Sequence, residues 1–135
     1  MTTNEPTLAQ QFGITGADAQ RLSELGCDLI DSGDLEGAAS IFSGLLVLNP
    51  YDANSRAAYG SVLERLERFT EAERAYSEAI ETDAACELAR LNRGVMRLRR
   101  NDRSGADDLR AIASKTSKVA VEARRLLSAA TAPSR

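Results

Sequence analysis

The sequence predicts an all-α protein, a helical solenoid of three helix-turn-helix repeats closed by a C-terminal capping helix. A fixed step carries the prediction: adding 34 to Gly26, Ala38 and Phe42 lands on Gly60, Ala72 and Tyr76, and adding 34 again lands on Gly94, Ala106 and Arg110. Chance rarely holds three residues in register twice. Composition agrees, because 43% of the chain is apolar but only 4% is aromatic, so the core must be built mostly from Ala, Leu, Ile and Val on closely spaced helices. No stretch shows the alternating β-branched pattern of a strand. A chain of 135 residues is long enough for one domain with a continuous core. A helical hairpin repeated at fixed spacing buries its apolar face by stacking on its neighbours.

Residues 1–16 form an N-terminal arm, polar and expected to be disordered over 1–6, with a short helix from Thr7 to Phe12 ended by Gly13. Thr15 and Asp18 have capping-box spacing and open the first full helix. Over the first repeat, 19–52, Leu22, Leu25, Gly26, Leu29 and Ile30 make one buried face. Gly33 suits the left-handed residue beyond a helix end, and Asp34 caps the next helix. That helix presents Leu35, Ala38, Ala39, Ile41, Phe42, Leu45, Leu46 and Leu48, then stops at Asn49-Pro50, because proline disfavours helical geometry in the residue before it.

The second repeat, 53–86, opens on Asp52 as a cap and shows Ala53, Ala57, Tyr59, Gly60, Val62, Leu63 and Leu66. Thr70 and Glu73 are spaced as a capping box ahead of Ala72, Ala75, Tyr76, Ala79 and Ile80. Asp83 and Ala84 stand where Asn49 and Pro50 stood. The third repeat, 87–115, carries Leu88, Leu91, Val95 and Leu98, with Asn101 as a left-handed stop. Ser104 and Asp107 again have capping-box spacing, before Ala106, Leu109, Ile112 and Ala113. The capping helix, 116–132, offers Val119, Ala120, Ala123, Leu126, Leu127 and Ala130 to the open end of the stack.

Several function classes are disfavoured. The N-terminus has neither a basic start nor an apolar run, and no segment is long enough to cross a bilayer, so no membrane insertion is expected and the location reads as cytoplasmic. With no His and two Cys, Cys27 and Cys86, on different repeats, neither a metal site nor a disulfide is expected, and both thiols read as buried or half-buried. No GxxxxGK[ST] loop cradles a phosphate, and Glu64, Glu67, Glu71 and Glu73 read as solvated faces. The chain is therefore read as a non-enzyme with no cofactor.

The net charge of −3 hides an asymmetry. Residues 1–86 carry 5 Arg against 15 acids, a balance of −10, whereas residues 87–135 carry 10 Arg and 2 Lys against 5 acids, a balance of +7. The basic patch of Arg97, Arg99, Arg100 and Arg103 lacks interleaved aromatic residues, none following Tyr76. Nucleic acid is thus a poor fit. A solvated face, or pairing with the acidic half within or between molecules, suits the patch better.

The register resembles the tetratricopeptide repeat. Leu22, Leu25 and Gly26 supply that repeat's large, bulky and small residues in the first helix; Ala38, Phe42, Leu45 and Pro50 supply its second helix and closing proline. The second repeat keeps Tyr59, Gly60, Ala72, Tyr76 and Ala79 but has Arg56 at the large apolar place. The third keeps Gly94, Ala106 and Ala113, while Arg90, Arg93, Arg97 and Arg110 replace apolar residues. The resemblance implies a right-handed superhelix in which the small residues of paired helices face each other.

A narrower resemblance runs from Ile14 to Ala85. Ile14-Thr15, Ser32-Gly33, Phe42, Leu45, the VLNPYD run at 47–52, Ala72 and Tyr76 look like the cytoplasmic chaperones of type III secretion translocators. That likeness implies a groove holding an extended client segment, and a possible homodimer through the N-terminal region. The short arm and the arginine-rich third repeat depart from those chaperones.

In such a stack the first helix of each repeat lines the concave side. The resemblance places Gln20, Ser23, Cys27 and Ile30, then Asn54, Ala57, Ser61 and Glu64, then Leu88, Leu91, Val95 and Leu98 in a peptide-binding groove, with Asn54 and Asn92 bonding client backbone. The four apolar residues from Leu88 to Leu98 leave two readings open: a greasy end to the groove, or a helix rotated to bury its leucines. Where related proteins clamp an acidic C-terminus with Lys, Asn and Arg, this chain has Ser23, Cys27, Ala58, Leu88 and Asn92, which disfavours that role. The reading is a protein-binding module, as chaperone of an exported client or, alternatively, as an adaptor or self-associating scaffold.

Overall fold

In the computed structural model the described residues, 5–131, form eight α-helices: α1 (Leu8–Gln11), α2 (Gly16–Asp31), α3 (Leu35–Leu48), α4 (Ala53–Arg65), α5 (Phe69–Thr82), α6 (Glu87–Arg99), α7 (Gly105–Ala113) and α8 (Lys118–Thr131). The disorder expected at residues 1–4, and residue 132 of the expected capping helix, lie outside the described residues. Pairs α2–α3, α4–α5 and α6–α7 are the hairpins, α3 meets α4 and α5 meets α6, and α8 packs on α6 and α7.

Local chemistry explains most boundaries. Thr15 and Asp18 cap α2 reciprocally, and Asp34 and Asp52 accept the backbone N–H of Gly37 and Ser55 at 2.9 and 3.1 Å. Asn49 and Asp83 end α3 and α5 with nearly the same backbone angles, and the side chain of each accepts an N–H two residues on, both at 3.0 Å. The turn keeps its shape without proline because this Asx bond supplies it. Neither Thr70 nor Ser104 caps through its side chain: α5 starts a residue before Thr70, and Glu73, its expected partner, instead accepts from Arg97 and Arg100. The Ser104 hydroxyl donates to Asp102 at 2.6 Å and accepts no N–H of α7.

The step of 34 survives through each hairpin turn, where Gly33, Glu67 and Asn101 all adopt positive φ, at 87°, 62° and 63°. It fails just beyond Asn101. The buried residues of α7 are Gly105, Asp108, Leu109 and Ile112, whereas Ala106 is half-buried and Arg110 is exposed beside Asp107. Gly105, Leu109 and Ile112 therefore occupy the places of Ala72, Tyr76 and Ala79, and the step from the positive-φ residue to the buried small residue is one shorter, 101 to 105 against 67 to 72. The expected third-repeat set of Ala106, Arg110 and Ala113 is off by one.

The close-approach residues also need correction. Each glycine makes room chiefly for the large residue of the next helix: a Cβ on Gly26 would lie 2.7 Å from the Phe42 ring, and one on Gly60 would lie 2.7 Å from the Tyr76 ring and 3.3 Å from the Ala72 carbonyl. A fully buried aromatic ring stabilises by roughly 1.5–3 kcal/mol, so these pairs anchor the first two hairpins. In the third hairpin a Cβ on Gly94 would meet the Gly105 carbonyl at 2.8 Å and Leu109 at 3.0 Å. The core divides accordingly into a cluster around Phe42 and Val62, one around Tyr76 and Ala89, and one around Leu109, Ile112 and Ala123.

Candidate functional site: the groove between the first helices

The glycine contacts on α4 and α6 fix how these helices face: Gly60 points at α5 and Gly94 at α7, which leaves Ser61, Glu64, Leu91, Asn92 and Val95 facing a shared cleft. The cleft, about 330 Å³, is bounded by these residues with Arg65, Tyr76 and Arg99, and by Glu122, Arg125 and Leu126 of α8. Thus α8 does more than cover an end. It packs against α6 as another first helix would and forms one wall of the groove.

Tyr76 belongs to the second helix of its hairpin, yet its hydroxyl reaches the floor of the cleft and donates to Glu64 Oε1 at 2.8 Å. Ser61 and Asn92 lie close to the same hydroxyl and line the cleft with it. Burial first, and the Glu64 carboxylate second, push its ionisation far above the ordinary tyrosine range, so it remains a neutral donor. Ser61 and Asn92 share the cleft lining with the apolar side chains of Leu91, Val95 and Leu126.

The expected groove residues fall into different surroundings. Gln20, Cys27 and Asn54 are exposed, and Ser23 and Ile30 are half-buried, with Ile30 against the first core cluster. Gln20 donates to Glu24 at 3.2 Å, and the Asn54 carbonyl oxygen accepts the Cys86 thiol at 3.5 Å. Cys27 is exposed, where a buried or half-buried thiol was expected; partial desolvation, then Asp31, Asp28 and Glu24, raise its ionisation, so it remains a thiol near neutral pH. Cys86 is buried.

Ala57 is 0% exposed and is no groove residue. It sits on the middle first helix, which has packed helices on both sides, and this narrows the band left open to solvent. The leucine stripe divides between the two readings, with Leu91 and Val95 lining the cleft while Leu88 and Leu98 pack into the core. α6 keeps the orientation of α4, Leu88 packs on the second core cluster, and Leu91 and Leu98 pack with Val119, Leu126 and Leu127 of α8.

The basic patch meets the acidic half inside the molecule. Arg97 and Arg100 bond Glu73 at 2.8 and 2.7 Å, Arg99 lies 3.7 Å from Glu64, and Arg103 is exposed. Their guanidinium groups hold the Glu73 carboxyl below its ordinary range. Arg65, Tyr76 and the three α8 residues of the cleft were not anticipated from sequence. The recurrence of arginine at 65 and 99, one step of 34 apart, was the available signal for one of them. Among the described residues no helix is long and apolar enough to cross a membrane, and no group of three or more His, Cys, Asp or Glu side chains is placed to hold a metal ion.

A three-hairpin stack with an inward-facing groove defines a class of helical repeat protein, and the sequence identifies which one. The tetratricopeptide repeat profile matches residues 23–85 and 60–116, and the chain belongs to that family. No curated protein matches its sequence. Among solved structures it is similar to the Yersinia enterocolitica type III secretion translocator chaperone SycD, with a TM-score of 0.80 at 21% identity over 93% of this chain and 99% of that one. PcrH in complex with the chaperone binding region of PopD gives 0.73 at 22% identity over 88% and 95%. The first tetratricopeptide domain of Spaghetti (RPAP3), bound to the HSP90 peptide SRMEEVD, gives 0.69 at 20% identity over 86% and 94%. At these identities the likeness establishes the shared fold.

Proposed function

We propose that this protein binds an extended segment of a client polypeptide in the groove between α2, α4, α6 and α8, without catalysis, as a cytoplasmic chaperone for a type III secretion client. The cleft at Ser61, Asn92 and Val95 carries the reading. Its apolar wall of Leu91, Val95 and Leu126 suits a side chain, and its amide and hydroxyl groups suit the backbone of the same extended strand. The complex of PcrH with the chaperone binding region of PopD, on the same fold, supports it. Calorimetric titration of overlapping peptides from a candidate exported client tests it. Val95→Glu places a charge against the apolar wall and is expected to weaken binding by about tenfold or more. Unchanged affinity in a variant whose melting curve matches wild type would place the binding surface elsewhere.

A further inference from the structure

α2, α4 and α6 end on Asp31, Arg65 and Arg99, each one step of 34 from the next, so stacking sets these three side chains along one rim of the groove. Two of them have donors to spare. Arg65 is exposed and makes no ion pair among the described residues. The Arg99 side chain is 74% exposed, and its nearest acid, Glu64, is 3.7 Å away, beyond hydrogen-bond range. The carboxylates of the cleft are already engaged, Glu64 by the Tyr76 hydroxyl at 2.8 Å and Glu122 by both arms of Arg125 at 2.9 and 2.6 Å. A ligand approaching this rim therefore meets two guanidinium forks beside an apolar wall.

Guanidinium forks match carboxylates in geometry as well as in charge. α4 and α6 touch directly, and helices in contact lie about 8–10 Å apart. An extended chain of polyproline II type advances about 3.1 Å per residue with three residues per turn, so side chains about three residues apart share a face and match neighbouring forks. We propose that this part of the groove selects an extended peptide with two side-chain carboxylates about three residues apart and an aliphatic side chain between them. The inference rests on the groove reading above and adds the ligand's charge and spacing to it.

The test uses acetylated, amidated and fluorescently labelled peptides, which remove terminal charge, on one Gly/Ser scaffold. Their cores are Glu-Leu-Ser-Glu, Gln-Leu-Ser-Gln and Lys-Leu-Ser-Lys, and binding to the full chain is read by anisotropy at low salt. The acidic peptide is expected to bind on the order of tenfold more tightly than the neutral one, and the basic peptide more weakly than both. In the double variant Arg65→Glu with Arg99→Glu the order reverses; both positions are exposed, and a matching circular dichroism melt verifies the fold. Equal binding of the three peptides by wild type, or an acidic preference that persists in the double variant, overturns the charge selection and leaves the groove reading standing. Failure of all three to bind at millimolar concentration overturns both.

Discussion

Between α4 and α5 the space that Gly60 leaves open is filled by a ring, and Tyr76 is fully buried there. Around α6 the equivalent surface carries Arg90, Arg93 and Arg97, which converge on Asp108 of α7, itself 2% exposed. Arg93 grips it with Nε and Nη2 at 2.8 and 2.7 Å, Arg90 donates at 3.2 Å, and a further Arg93 nitrogen donates to Ser77 of α5 at 3.1 Å. The two hairpins share a backbone plan but not a chemistry. The second depends on shape, tolerating little change in volume; the third depends on charge balance, because a buried ion is stable only while its partners remain.

Removing the charge partner is the most severe way to test that contrast. Asp108→Ala takes the carboxylate partner from Arg93 and Arg90, whose side chains are only 15% and 22% exposed, while Arg97 keeps Glu73, and is expected to cost about 3 kcal/mol in urea-monitored unfolding. A loss below about 1 kcal/mol would mean that water enters the cluster and that the third hairpin is held by its apolar contacts alone.

Overpacking probes the other half of the comparison and the register at once. Ala72 is fully buried, so Ala72→Leu is expected to cost about 1–3 kcal/mol and lower the melting temperature by several degrees. In the third hairpin the same penalty belongs to Gly105→Ala, whose Cβ would run into the Gly94 carbonyl, and not to Ala106→Leu, which changes a half-buried side chain. Thermal melts of the three variants decide between the one-residue slip and the unbroken step.

Tyr76→Phe keeps the ring and removes only the hydroxyl that donates to Glu64, with an expected loss of about 1 kcal/mol in the same urea titration. A loss as large as that of Asp108→Ala would show that the second hairpin, too, relies on polar contacts.

The smallest effect is in acid. The Glu73 carboxyl, held below its ordinary 4.5 by its bonds to Arg100 and then Arg97, contributes stability that is complete above 4.5 and is lost as pH falls through the lower folded value. The gap in unfolding free energy between wild type and Glu73→Gln should therefore narrow as pH drops from about 5 to about 3. A gap that does not change with pH would leave the pairing without a role in stability.

These contrasts also mark what could be read before the structure. The first two hairpins were legible because Gly26 with Phe42, and Gly60 with Tyr76, follow the step of 34 without interruption. The third misled because Ala106 happens to be an alanine at the expected number. The spacing Gly105, Leu109, Ile112 repeats that of Ala72, Tyr76, Ala79 and was the clue to the one-residue slip. The arginines looked like lost core positions because a buried ion pair is a property of two helices, and Asp108 lies 15 residues beyond Arg93. For the groove, the resemblance to the repeat family pointed to Ser61, Glu64, Leu91, Asn92 and Val95, which line the cleft. The share taken by α8 was not legible, since no pattern within α8 says which neighbour its leucines will meet.

Tyr76 joins two jobs that are usually separate, its ring lying in the core of the second hairpin while its oxygen is part of the groove floor. A ligand that settles on Ser61 and Asn92 therefore rests on a side chain that already holds α5 against α4. Binding and folding become linked equilibria at this residue: occupancy adds to the stability of the hairpin by mass action, and any loosening of the hairpin is felt as lost affinity.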